Sequence, residues 1–284
     1  SDIGGPTANM YRMNCRRPEV RAKCRRLSCV HPTVCKLLDV DHGPLIDLMR
    51  RARTEKRIKK VMIASGVRMD LAVGSPEYVR QLVKHHVGGH LKVAPEHADP
   101  HVLALMKKPS IGGFEAFARR FEALSREAGK KQYLVPYFIA GHPGCDTDSM
   151  INLAVFLKRT GYRPRQVQDF IPTPFDIATC MYHTGIDPMT GDSLHVARTL
   201  TERRQQHALM LFFKPESYAD VRRALQSAGR TDLIGDGPDC LIPSRPPALS
   251  RAAKPHRKQA DQSSHTSGGG YRPHRKAARR QRRK

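Results

Sequence analysis

The chain has 284 residues, 39% of them apolar and 6% aromatic, with no Trp, which suits one large α/β domain or a domain with an appendage. No apolar run approaches the roughly 20 residues that a membrane helix needs, so no membrane partner is expected. No charged-then-apolar leader opens the chain, so the expected location is cytoplasmic. The formal net charge is +24, and from Arg245 onward 13 Lys and Arg face a single Asp. Residues 245–284 are rich in Pro, Ser, Gly, Gln and Arg and cannot bury enough apolar surface to offset chain entropy, so they are expected to be a disordered basic tail. Such a tail offers a contact for RNA or another polyanion through counterion release.

In chain order, Lys60–Ser65 reads as a strand ending at Gly66. Pro76–His86 reads as a helix capped by Ser75, with Pro76 in its first turn. His90–Ala94 is the next strand, followed by the loop Pro95-Glu96-His97. Phe114–Ala128 carries apolar residues at helical spacing and is closed by Gly129. Strand Tyr133–Ile139, helix Thr147–Thr160 stopped by Gly161, and strand Gln166–Ile171 follow. Strands alternating with helices of this length mean right-handed βαβ units and a parallel sheet. A fifth strand is expected to end at Asp2-Ile3-Gly4-Gly5. Beyond Gly185 the pattern turns helical, with Leu194–Phe213 and Tyr218–Ala228, and then a docking segment at Leu233–Gly235 and Cys240–Pro243. A complete eight-stranded barrel needs about 250 residues, yet the last third supplies helices, so a fragment of a barrel is expected.

Ligands bind just past the carboxyl ends of strands in such sheets. Those ends here are Gly4-Gly5-Pro6-Thr7, Ser65-Gly66-Val67-Arg68, Lys92 with Pro95-Glu96-His97, Gly141-His142-Pro143-Gly144 and Pro172-Thr173-Pro174. The phrases Asp-Ile-Gly-Gly-Pro-Thr-Ala-Asn-Met-Tyr (2–11), Ala-Pro-Glu-His (94–97), Tyr-Phe-Ile-Ala-Gly-His-Pro-Gly (137–144), Gln-Asp-Phe-Ile-Pro-Thr-Pro-Phe (168–175) and Met-Tyr-His-Thr-Gly (181–185) resemble the YgiQ-type radical S-adenosylmethionine (radical SAM) proteins. The resemblance covers residues 1 to about 245. It implies a partial (β/α) radical SAM-type barrel, with core at 1–145, the last barrel unit and helical region at 146–244, and the tail at 245–284.

The resemblance further implies an enzyme in which a 4Fe–4S cluster and SAM generate a 5′-deoxyadenosyl radical that takes hydrogen from an unknown substrate, with an electron donor as partner. The Cys-x3-Cys-x2-Cys loop that holds that cluster is not found in this sequence, which is therefore expected to be inactive by itself. By the same resemblance Gly4 and Gly5 would receive the methionyl amino group, with Pro6 where an acidic residue often follows. Ser65, Lys92 and Glu96 fall where carboxylate and ribose contacts lie. Gly141, His142, Pro143 and Gly144 fall in the region that packs on adenine. Glycines allow close backbone approach, a Glu accepts hydroxyls and a Lys pairs with a carboxylate.

Seven cysteines point to metal or reactive thiols more than to disulfides. Cys15, Cys24, Cys29 and Cys35 lie in an Arg-rich stretch and could complete an auxiliary Fe–S or zinc site, with His31 and His42 as alternative ligands. The stretch spacings are looser than paired Cys-x2-Cys and do not name a metal. Cys145 and Cys180 read as small buried side chains. Two rival readings remain: an aldolase-like α/β barrel using Lys92 as a Schiff-base nucleophile, and an RNA-associated basic protein with a structural zinc site.

Overall fold

The computed structural model describes residues 8–164 and 167–245. The expected strand end at Gly4-Gly5 and residues 246–284 of the basic tail lie outside them. Among the described residues the chain forms a three-stranded parallel sheet of β1 (His90–Glu96), β2 (Tyr133–Ala140) and β3 (Gln168–Asp169), in that spatial order. The helices are α1 (Pro18–Arg21), α2 (Gly43–Thr54), α3 (Met69–Val73), α4 (Pro76–Gln81), α5 (Pro100–Leu105), α6 (Ile111–Glu127), α7 (Thr147–Thr160), α8 (Ile177–Thr184), α9 (Leu200–Met210) and α10 (Tyr218–Ser227). None is long and apolar enough to cross a membrane.

The two faces of the sheet differ because side chains alternate along a strand. Leu91 and Val93 of β1 and Phe138 and Ala140 of β2 are buried against helices. Lys92 and Tyr137 point to the opposite face, where Lys92 Nζ sits 5.9 Å from the Tyr137 ring centroid. The register pairs Lys92 with Val135, then breaks between Val93 and Glu96 so that Glu96 pairs with Phe138. Glu96 takes a left-handed φ of 71° at this break. A bulge at a strand end re-aims the side chain that follows it.

One apolar cluster fills the helix side. It runs from Leu45 and Met49 of α2 through Phe114, Phe117 and Phe121 of α6 and the inner face of α7 to Leu241 and Ile242. The Phe spacing of three and four residues places all three rings on one stripe of α6. The α7 ends are chemically defined. Asp146 accepts the Ser149 N–H, and Gly161 closes the helix at φ 72°.

Several expected boundaries move. Residues 60–65 form no continuous strand. Their backbone still joins the sheet region, with Lys92 N–H donating to Ala64 O at 2.9 Å and Ile63 N–H to His86 O at 2.8 Å. The strand expected over 166–171 is regular only at Gln168–Asp169. Ser75 precedes α4 without a side-chain cap, and the helix passes into one wide turn at Leu82–His86. The helix expected from Leu194 starts at Leu200, because the Thr199 side chain accepts the Glu202 N–H, the Thr-x-x-Glu pattern of a capping box. The docking segment is present, with Ile234 and Ile242 paired in parallel. Helices α1, α2, α3, α5 and α8 were not anticipated. Asp99 caps α5 by accepting the His101 and Val102 N–H groups.

Candidate functional site

Ser65, Arg68, Lys92, Lys107, Lys108 and Tyr137 surround a cavity of about 290 Å3 at the carboxyl ends of the 60–65 segment and β1. Lys108 pairs with Glu96 at 3.2 Å. Arg68 grips Asp70 with two nitrogens, at 3.0 and 3.1 Å. Among the described residues Lys92 and Lys107 have no carboxylate partner. The cavity is therefore a cationic pocket beside an aromatic ring, a setting that favours a carboxylate or phosphate.

The Lys107-Lys108 pair also forms a wall of a second cavity. That space is lined by Glu96, Ile139, His142, Phe170 and Phe175 and measures about 540 Å3. His142 is buried there; its Nδ1 lies 2.7 Å from Pro143 O and its ring meets Phe170 edge-on at 5.4 Å. Burial holds the His142 pKa below its ordinary value. Gly141 lines a further pocket with Tyr182 and Arg203, and a Cβ placed on it would sit 3.9 Å from Gln206 Oε1. Gly144 has a different task. At φ 85°, its missing Cβ would fall 2.0 Å from Leu105 Cδ1, and its N–H donates to His195 O at 2.7 Å. Ser65 and Lys92 thus share one cavity and Glu96 and His142 the adjoining one, while Gly141 faces a third. Pro143 is buried beside His142.

Two clusters escape sequence reading. His97 is fully buried, and its Nδ1 accepts the Asp99 N–H at 3.0 Å, which leaves the ring proton on Nε2, 3.5 Å from Cys145 Sγ. An imidazole that donates to sulfur is no general base for it, and burial pushes the Cys145 thiol pKa up. Burial also lowers His97 to about 4. The pair ties the end of β1 to the start of α7. The buried Cys145 matches expectation. Cys180 does not: it is exposed, because α8 turns Met181 inward and the residue before it is rotated away.

The second cluster is a clasp. Asn9 Oδ1 accepts the Arg68 N–H at 2.6 Å and Asn9 Nδ2 donates to Arg68 O at 3.0 Å. His42 lies 3.2 Å from the same amide and stacks on Tyr78. This corrects the reading of His42 as a spare metal ligand, since it is buried and held elsewhere. Arg68 Nη2 also donates to Val30 O, which fixes the cysteine stretch to the cavity rim. Cys24 is exposed and Cys15, Cys29 and Cys35 are half-buried. Among the described residues no three His, Cys, Asp or Glu side chains are gathered so as to hold a metal, so the four thiols as placed do not fit a zinc or Fe–S centre.

Residues 165–284 match the model of a domain of unknown function, DUF3362. The chain is 51% identical over 260 residues to a UPF0313 protein of Bradyrhizobium diazoefficiens, an alignment covering 89% of this chain and 39% of that protein. It is 49% identical over 277 residues to a UPF0313 protein of Vibrio cholerae, covering 94% of the chain and 35% of that protein. A UPF0313 protein of Chromobacterium violaceum is 46% identical over 278 residues, with 96% and 37% covered. The chain thus spans less than two-fifths of the length of each of these relatives.

Proposed function

We propose that this chain forms one wall of a SAM-binding α/β barrel in a radical SAM enzyme of unknown substrate. The observation that carries this reading is the shared cationic cavity of Ser65 and Lys92 at parallel strand ends, adjoining the cavity of Glu96 and His142. The donor set fits SAM: a Lys without a carboxylate partner for the methionyl carboxylate, a Glu for ribose hydroxyls, and apolar walls for adenine. When bound, SAM and an iron–sulfur cluster supply a hydrogen-abstracting radical, and the cluster ligands are not among this chain's residues.

The chain's own part is positioning. Lys92 is held over Tyr137 on the open face of the sheet and offers a point charge to a carboxylate. Lys108 orients Glu96, whose strand-end bulge aims the carboxylate off the ladder. His142, kept neutral by burial, packs on Phe170 and supports that apolar wall. Helices α7, α9 and α10 close the helix side and exclude water from behind the strands. The four-cysteine stretch carries no step in this scheme.

The test uses the intact polypeptide that contains this segment, reconstituted anaerobically with iron and sulfide and then reduced with dithionite. Release of 5′-deoxyadenosine from SAM, lost in Lys92→Ala with the iron content unchanged, supports the proposal. No SAM cleavage by a protein with a full cluster contradicts it.

A further inference from the structure

The stretch from Arg12 to Lys36 holds eight Lys and Arg against the single acid Glu19, a net +7 in 25 residues. Part of that charge is used internally. Arg16 pairs with Asp39, Arg17 with Glu19, and Arg26 donates to the carbonyls of Ser28 and Thr33. Arg21, Lys23 and Arg25 are exposed and have no carboxylate partner among the described residues. Unpaired cations repel one another, so a surface that concentrates them favours an anionic partner.

This basic stretch is attached to the cavity rim. Arg68, which lines the first cavity, donates to Val30 O at 3.0 Å. His31 lies beside the same wall: burial lowers its pKa, and the charges of Lys107, Arg68 and Arg26 push it in the same direction. Lys107 and Lys108 line both cavities. The basic loop thus adjoins the strand-end space through Arg68 and Lys107, where Arg68 is paired with Asp70, Lys108 with Glu96, and Asp176 also lines the second cavity.

On the far side of that wall stands an aromatic ring with no structural duty. Phe175 is 108% exposed, and its φ of 66° is a left-handed conformation that bulky residues rarely adopt. It lines the second cavity together with Ile177, which is 49% exposed. A fully exposed ring held at this backbone cost is poorly explained by packing. A cationic track leading to a ring at a cavity mouth is the arrangement that binds single-stranded nucleic acid: the phosphates follow the charge and a base stacks on the ring.

We infer that the substrate of the proposed enzyme is a single-stranded polynucleotide segment, its backbone carried by the Arg21-Lys23-Arg25 loop and the Lys107-Lys108 rim, with a base stacked on Phe175 at the strand-end cavity. The inference rests on the enzyme reading only for the word substrate; the binding surface stands by itself.

The test measures binding of a labelled single-stranded oligoadenylate to the intact protein, with heparin and phosphatidylserine vesicles as anions that lack bases. Arg21→Glu/Lys23→Glu/Arg25→Glu should weaken oligoadenylate binding at least about tenfold and flatten its log–log salt slope by about two. Phe175→Ala should weaken oligoadenylate binding about tenfold while leaving heparin binding unchanged. Circular dichroism establishes that both variants are folded. Affinity untouched by the charge reversal would assign binding to the basic tail and overturn the inference. So would equal loss for heparin and oligoadenylate in Phe175→Ala, or vesicles that displace the oligoadenylate. SAM binding is measured on the same preparation. SAM bound without polynucleotide overturns this inference alone, and polynucleotide bound without SAM overturns the enzyme reading alone.

Discussion

At His97, burial sets both a protonation state and a stability slope. Its folded pKa of about 4 lies below the ordinary 6.5, so below pH 6.5 the unfolded chain takes up a proton that the folded chain refuses until about pH 4. Stability from this ring is therefore complete above pH 6.5 and falls as pH drops through that window, by about 3 kcal/mol in all. Urea denaturation at pH 7 and 4.5 should show a smaller loss in His97→Gln, which keeps a donor for Cys145. Equal losses would contradict the buried neutral ring. Gly144→Ala should cost about 2 kcal/mol, since a left-handed φ and the Leu105 contact both oppose a Cβ. The position of Ser65, Lys92, Glu96 and His142 at the strand-end cavities was legible because each lies in or just past an apolar run. The Asn9–Arg68 clasp and the His97–Cys145 pair were not. Their partners lie 59 and 48 residues apart, and only the crossover packing brings them together.

Among the elements, those with both a periodic face and a chemical stop could be read from sequence. Helix α7 has its Asp146 cap and Gly161 terminus, β1 its apolar alternation and β2 its continuous apolar run. Helix α2 was hidden because its buried apolar set is only Leu45, Ile46 and Met49, beside exposed Leu48, Arg50 and Arg51. The apolar pattern over 194–213 ran past the true start of α9, where Thr199 caps it. For the cysteine stretch the placement makes a direct prediction. With no three ligands gathered among the described residues, Cys24 of the native protein should react freely with a thiol reagent, and Cys145 only on unfolding. Stoichiometric zinc or iron that protects Cys24, and is lost in Cys29→Ala, would contradict that placement and restore an auxiliary metal site.

At the scale of the molecule, one apolar cluster spans α2 to the docking segment at Leu241–Ile242, so the helices after Gly185 are part of the same core that backs the strands. Phe117→Ala, at the centre of the α6 stripe, should cost about 3–5 kcal/mol and loosen the sheet with it. A partial barrel was expected from the strand ends; the described residues form an α/β fold with three parallel strands, and the 60–65 segment hydrogen-bonds beside β1. The most direct measurement of the strand-end assignment is photo-crosslinking of azido-SAM to the intact, reconstituted protein, followed by peptide mapping. Adducts within residues 65–68, 92–96 or 139–143, competed by unlabelled SAM and reduced in Lys92→Ala, are the expected result. Adducts confined to other segments of an active protein would contradict the assignment of SAM to this wall.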